Sequence, residues 1–412
     1  MHQPVSRRDF LRTTAAVAAA ATAAPAIALG EDQKLTVNPI PRRKLGRTGV
    51  EIPILNVGAI EGHDTRMLNL AYENGLHYFD SAKVYANGNH EKTIAEWFQK
   101  TGLRKDIFLV TKDLPTTPDQ WVTMLDERLE ALQIDQIDMY FLHALGDVGA
   151  SVGEAYSAEE KGGEAWPASA EWGKAADKMK KSGKIKFVGF STHCANIERR
   201  TALLNNAANG GWVDAIMTAA DPILIRDNAE FSKAMDNCYN KGVGLVSMKE
   251  TRKGLPYVKK LVPEYKEKGL NPYTAVLHSM WSDERIASIC SYMGNVKQLT
   301  QNADAARKFA PLSGKEQAAV YRMLEELQHT CCHACDGSCQ RAAGSRTAFA
   351  DIARYLSYYE EDGRRAEARA LFAALPPEQR DWAKANLHAA SRACVSQLDF
   401  QDILTRAAQK LA

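Results

Sequence analysis

Long blocks of lysine and arginine are missing from this 412-residue sequence, and 52 basic residues nearly balance 50 acidic ones, for a formal net charge of +2. No broad positive field therefore points to nucleic acid or to an acidic membrane. Beyond residue 30, no stretch reaches the ~20 apolar residues that a membrane-spanning helix needs. No glycine-rich turn follows the first strand-like run, Leu55-Asn56-Val57-Gly58, which argues against a doubly wound dinucleotide fold. Cysteine is sparse over most of the chain. Cys194, Cys238 and Cys290 are scattered singly and read as small buried hydrophobes. By contrast, Cys331, Cys332, Cys335 and Cys339 crowd together, and Cys394 stands alone near the end. The apolar share of 45% and charged share of 25% are those of a globular protein, long enough for one large α/β barrel and a smaller unit.

The first thirty residues read as an address. Ser6-Arg7-Arg8-Asp9-Phe10-Leu11-Arg12 precedes an alanine-rich run ending near Ala24-Pro25-Ala26, which is a charged start, an apolar stretch and a small-residue cleavage region. Paired arginines followed by Phe-Leu resemble the twin-arginine signal, which a receptor reads. That resemblance implies export of a folded protein by the twin-arginine translocase to the periplasm, with any cofactor loaded beforehand.

From about residue 50 to 310, short apolar runs alternate with amphipathic segments. Strands are expected at Leu55–Gly58, Tyr78–Asp80, Ile107–Thr111, Met139–His143, Phe187–Ser191, Ala215–Thr218, Gly244–Met248 and Ile289–Ser291. Helices are expected between them, for example over Pro118–Ile134, where Trp121, Leu125, Leu129 and Leu132 fall at helical spacing. Such alternation predicts a parallel sheet with helical crossovers, and eight units closing on themselves give a (β/α)8 barrel of the TIM type. Arg43–Ile52 reads as a hairpin ahead of it. The organisation expected is a signal at 1–30, a barrel over 40–311 and a small all-helical, cysteine-rich unit over 312–412. One connection, after His143, is long and rich in Gly, Ala, Ser and Glu; it is either a binding loop or a surface excursion.

Active sites of such barrels lie at the carboxyl ends of the strands. Asp80 ends the second strand with Tyr85 just beyond, Lys112 ends the third and His143 the fourth. A phenol, with a pKa of ~10, exchanges protons poorly at neutral pH, and a nearby ammonium is expected to lower that value. Asp80 would hold Lys112, His143 would orient a carbonyl oxygen, and Tyr85 would act as general acid during hydride delivery. Phe79-Asp80-Ser81-Ala82-Lys83-Val84-Tyr85, followed by Gly88 and Glu91, resembles the corresponding segment of aldo-keto reductases. Val110-Thr111-Lys112, Tyr140-Phe141-Leu142-His143 and Gly183–His193 are similar to that family's next segments. The resemblance implies NAD(P) across the barrel mouth, with Ser191 near the nicotinamide and Gln298 and Asn302 at the adenine. It also implies a small carbonyl or alcohol substrate. Gly294 stands where the family's phosphate-clamping arginine is expected, so a preference for NADP does not follow.

Cys332, Cys335, Cys339 and Cys394 could supply four thiolates to a 4Fe–4S cluster, to tetrahedral zinc, or to two disulfides. The carboxy-terminal hundred residues resemble a ferredoxin-like helical unit carried by a branch of the same family, which favours the iron–sulfur cluster and implies a redox partner protein. An alternative function is an exported electron-transfer protein whose barrel no longer uses free nicotinamide.

Overall fold

The computed structural model describes residues 39–58, 65–146, 163–194, 197–250, 269–327, 332, 337–360, 365–394 and 396–412. The expected signal at 1–30, most of the long connection after His143, and Cys335 lie outside the described residues. A hairpin comes first, with β1 (Arg42–Lys44) antiparallel to β2 (Glu51–Pro53). Eight parallel strands then close into a barrel: β3 (Leu55–Val57), β4 (Tyr78–Asp80), β5 (Phe108–Asp113), β6 (Ile137–Leu142), β7 (Ile185–Thr192), β8 (Ala215–Ala219), β9 (Gly244–Met248) and β10 (Ile286–Ser291).

Strands of a parallel barrel are covered on both faces and so read as nearly continuous apolar runs. Every residue of β5 and β6 is buried. Alternate side chains divide between two layers. Tyr78, Phe108, Val110, Met139, Phe141, Met217 and Val246 pack together in the lumen, whereas Phe79, Leu109, Tyr140, Leu142, Ile216 and Leu245 face the surrounding helices. At Gly189 a Cβ would drive into the Ala215 carbonyl and the Phe141 ring, so only glycine lets these strands and that ring come so close.

The hairpin seals the end of the barrel where the strands begin. Arg47 N donates to Gly242 O at 2.6 Å, Arg43 Nη1 donates to Ile286 O at 2.7 Å, and Leu45 and Ile52 extend the lumen cluster. The opposite rim, where strands end, is left for chemistry.

The helix Pro118–Leu132 shows why the crossovers form where they do. Thr117 accepts a hydrogen bond from Gln120 N at 3.2 Å, Pro118 occupies the first turn, and Trp121, Leu125, Leu129 and Leu132 are buried as their spacing predicts. After the barrel, the helix Gly314–Leu327 adds Ala319, Val320, Met323 and Leu324 to the layer outside the strands. The helices Ser338–Ala343, Phe349–Glu360, Arg365–Ala374, Leu387–Ala393 and Phe400–Leu411 share a second apolar core around Phe349, Ile352, Leu356, Phe400 and Leu404.

Candidate active site

Asp80 is the last residue of β4, Lys112 the penultimate residue of β5, and His143 the first residue beyond β6. The parallel register sets Asp80 beside Val110 and Lys112 beside Phe141, so three neighbouring strands bring these side chains to one rim. Tyr85 comes from the short turn that follows β4.

The ammonium of Lys112 is buried and its three protons are all accounted for. Nζ lies 2.6 Å from Asp80 Oδ2, 2.7 Å from the Ser81 carbonyl and 3.3 Å from Tyr85 Oη. An ammonium can only donate, so Tyr85 Oη accepts from Lys112, and the phenol proton can be given to Asp80 or to a bound molecule. The ring of His143 meets the Tyr85 ring edge-on, with centroids 5.7 Å apart at 84°, and His143 Nδ1 has no hydrogen-bond partner among the described residues.

Burial sets the protonation states. It alone would strip Lys112 of its proton, but Asp80, Tyr85 and Cys290 outweigh it and hold the ammonium above its ordinary value. Burial also raises Asp80, opposed chiefly by Lys112. His143 is held well below the usual imidazole range by burial, then by Lys112, His193 and Lys249, so it is a neutral donor and acceptor at pH 7. Tyr85 differs from the sequence expectation. Lys112 does oppose the shift, but burial is the larger influence and the phenol is pushed up to about 12.

The remaining expected positions are also placed. Ser191, in β7, accepts a hydrogen bond from Ala144 N at 3.0 Å, and Leu145 N donates to its carbonyl at 2.8 Å. It therefore fixes the turn that follows His143, with its hydroxyl proton still to donate. Beyond β10, Gln298 Oε1 accepts from Gly294 N at 2.8 Å, and Asn302 Nδ2 donates to Ser291 Oγ at 3.1 Å. That leaves Gln298 Nε2 as donor and Asn302 Oδ1 as acceptor, a pair that fits the edge of a purine. The groups left at Ser191, Gln298 and Asn302 are of the donor and acceptor kinds that a nicotinamide adenine dinucleotide requires.

Two groups at the same rim were not singled out by sequence. Cys290, read there as a simple hydrophobe, packs at the edge of the lumen cluster next to Asp80, where burial raises its thiol well above the ordinary value. Glu250, two residues past β9, is 4% exposed and its Oε1 accepts from Ser247 Oγ at 2.7 Å. Burial raises it from 4.5 to about 7.

In the carboxy-terminal core, Cys339 and Cys394 are buried in one apolar cluster and Cys332 packs against it. Chain reversal between the helices 338–343 and 387–393 brings Cys394 back towards Cys339, and Asn386 N donates to Ala343 O at 3.0 Å across that junction. Among the described residues, no three His, Cys, Asp or Glu side chains stand at metal-binding geometry.

The aldo-keto reductase yakc of Schizosaccharomyces pombe, whose name specifies NADP(+), is 31% identical over 185 residues, covering 40% of this chain and 48% of that protein. Aldo-keto reductase str7 of Strobilurus tenacellus is 26% identical over 240 residues, covering 53% of this chain and 63% of that one. The chain thus spans about half the length of the first and under two thirds of the second. An aldo-keto reductase from Klebsiella pneumoniae, solved with NADPH, superposes with a TM-score of 0.54 at 20% identity, covering 68% of this chain and 94% of that one; at that identity the likeness concerns the fold. A twin-arginine translocation signal sequence matches residues 4–24. The aldo/keto reductase family model matches residues 61–269, half of the chain, and takes in Asp80, Tyr85, Lys112, His143 and Ser191 alike; on that match the chain belongs to the aldo/keto reductase family.

Proposed function

We propose that this protein reduces a small carbonyl compound with NAD(P)H, Tyr85 giving the proton that the substrate oxygen gains. The observation that carries the reading is the bond from Lys112 Nζ to Tyr85 Oη, because it sets the phenol beside the ammonium and leaves the phenol proton unengaged by Lys112. A bound nicotinamide supplies the hydride that goes to the carbonyl carbon. His143, neutral, orients the carbonyl oxygen with a ring N–H, and Tyr85 Oη–H transfers its proton to that oxygen as the alkoxide develops. The phenolate left behind sits 3.3 Å from the Lys112 ammonium, which stabilises it until solvent returns a proton.

At pH 7 a phenol pushed up to about 12 by burial is protonated, so Tyr85 carries the proton it would donate. Gln298 and Asn302 would hold the adenine, and the Ser191 hydroxyl would face the nicotinamide. With Gly294 in place of a fixed cation, we expect NADH to serve at least as well as NADPH. The names of relatives that carry NADP(+) or NADPH support the nicotinamide but not that preference.

The barrel is assigned to 40–311 and a helical, cysteine-rich unit to 312–412, in which Cys332, Cys335, Cys339 and Cys394 would hold a 4Fe–4S cluster. Cys339 and Cys394 lie in one apolar core with Cys332 against it, but no three such side chains stand at metal-binding geometry among the described residues; the cluster rests on the resemblance of the carboxy-terminal residues to a ferredoxin-like unit. The twin-arginine match supports folding with the cofactor before export and a periplasmic destination, where a redox partner protein would exchange electrons with the cluster. The purified full-length protein tests the reading with NADH and NADPH against activated aldehydes such as 4-nitrobenzaldehyde, followed at 340 nm. Aldehyde-dependent oxidation of either nucleotide is expected; none with any aldehyde, and no nucleotide binding, would overturn the proposal.

A further inference from the structure

We infer that His90, Glu91 and Arg128 are positioning residues that brace the Tyr85 turn against the Asp80–Lys112 pair; the inference rests on the general-acid role given to Tyr85 above. Three consecutive residues after Tyr85 are left-handed: Ala86 (φ 50°), Asn87 (φ 54°) and Gly88 (φ 82°). Two of them carry side chains, for which this region is disfavoured, so surrounding contacts must hold the turn. The following helix, Asn89–Thr101, does not do so by capping, because its first turn receives no side-chain cap bond.

The holding contacts come from His90 and Glu91, the second and third residues of that helix. His90 Nδ1 lies 2.8 Å from Ser81 Oγ. Glu91 Oε1 accepts from Thr111 Oγ1 at 2.6 Å, and Glu91 Oε2 accepts from Arg128 Nη1 at 2.8 Å. Arg128 Nε also lies 3.1 Å from Asp113 Oδ2.

The anchoring partners are the immediate neighbours of the reactive pair. Ser81 follows Asp80, while Thr111 and Asp113 flank Lys112. Because side chains alternate along a strand, these neighbours point away from the lumen and reach the helix behind Tyr85. Glu91 is 0% exposed, His90 5% and Arg128 6%, so the brace works without competition from water. His90 also meets the Tyr85 ring edge-on, with centroids 6.0 Å apart. Strain in the turn and its anchorage thus meet at one point, and that point fixes how far Tyr85 Oη stands from Lys112 Nζ. A displacement of about 1 Å in a reacting group can cost a hundredfold in rate.

The full-length protein tests this with His90→Phe, which keeps a ring but loses the nitrogen, His90→Asn, whose amide restores a partner for Ser81, and Thr111→Val. Two readouts are used. One is turnover of 4-nitrobenzaldehyde with NADH or NADPH. The other is ultraviolet titration of the Tyr85 phenol at 295 nm, taken as the difference from Tyr85→Phe, which needs neither nucleotide nor substrate. His90→Phe and Thr111→Val should lower kcat by about 10- to 100-fold with nucleotide KM within threefold (~3) of wild type. The phenol titration should move away from that of the wild type, since both its burial and its distance from Lys112 change. His90→Asn should recover both. Wild-type kcat and an unmoved phenol titration in both His90→Phe and Thr111→Val would overturn the brace. If Tyr85→Phe turned over as fast as wild type, the general-acid reading would fall instead, while the titration would still report on the brace.

Discussion

Replacing Glu250 by Gln should make the protein more stable at alkaline pH and leave it nearly unchanged in acid. Glu250 is 4% exposed, and its folded pKa is raised from 4.5 to about 7 by burial. The folded state therefore holds this proton more tightly than the unfolded chain does. Protons favour folding here, so stability is greatest below pH 4.5 and falls as pH rises through about 7. At about 1.4 kcal/mol per pH unit, the gap amounts to about 3 kcal/mol in total, of which about 2–3 kcal/mol is lost between roughly pH 5 and 8. Glutamine is isosteric, cannot titrate, and can still accept from Ser247 Oγ, which lies 2.7 Å from Glu250 Oε1. Urea unfolding of wild type and Glu250→Gln at pH 5 and 8 isolates the effect, because every other acid is common to both. The two proteins should diverge by about 2–3 kcal/mol across that interval, the variant being the more stable at pH 8. Parallel curves, agreeing to within about 0.5 kcal/mol at both pH values, would refute the claim that a buried, protonatable carboxyl sits beyond β9.

Lys112→Met should destabilise the fold by about 3–5 kcal/mol, since it strands the buried Asp80 carboxylate, and adding Asp80→Asn should recover most of that loss in thermal melts. Gly294→Arg should shift the NADPH-to-NADH ratio of kcat/KM upward by about tenfold, the worth of one charge-assisted contact to a phosphate; a ratio unchanged by the arginine would remove residues 292–302 from the nucleotide site. If the four cysteines hold a cluster, the protein as isolated should absorb broadly near 400 nm (roughly, for thiolate-bound iron–sulfur) and contain iron and sulfide. Cys339→Ser should lose both signals, and zinc in place of iron would redirect the assignment.

Most of the barrel was legible because its strands are short apolar runs that end in polar residues. At two edges that differ from expectation, a buried polar residue lies in the added part of the strand. β6 begins at Ile137 rather than Met139 because Asp138 stays inside, accepting from Leu109 N at 2.9 Å and pairing with Arg104 and Lys186. β10 begins at Ile286 because Ser288 is buried, donating to Pro53 O at 2.7 Å. The four candidate residues were legible as residue types at or just beyond strand ends, but their protonation was not, since the burial that lifts Tyr85 is a property of the assembled rim.

Arg128 had a signal that went unread. It lies three residues after Leu125 and seven after Trp121, on the apolar face of its helix, and a charged residue placed there needs a buried partner. Glu250 and the thiol of Cys290 had none, because nothing local distinguishes a buried acid from a solvated one, or a thiol beside a carboxylate from one among leucines.

The most direct test of the central claim, that the phenol of Tyr85 is the proton donor, is the rate of aldehyde-dependent nucleotide oxidation by Tyr85→Phe. Losing a positioned general acid should lower kcat by about 10²- to 10⁴-fold while nucleotide binding, measured separately by fluorescence, stays as in the wild type. Turnover equal to that of the wild type would contradict the account.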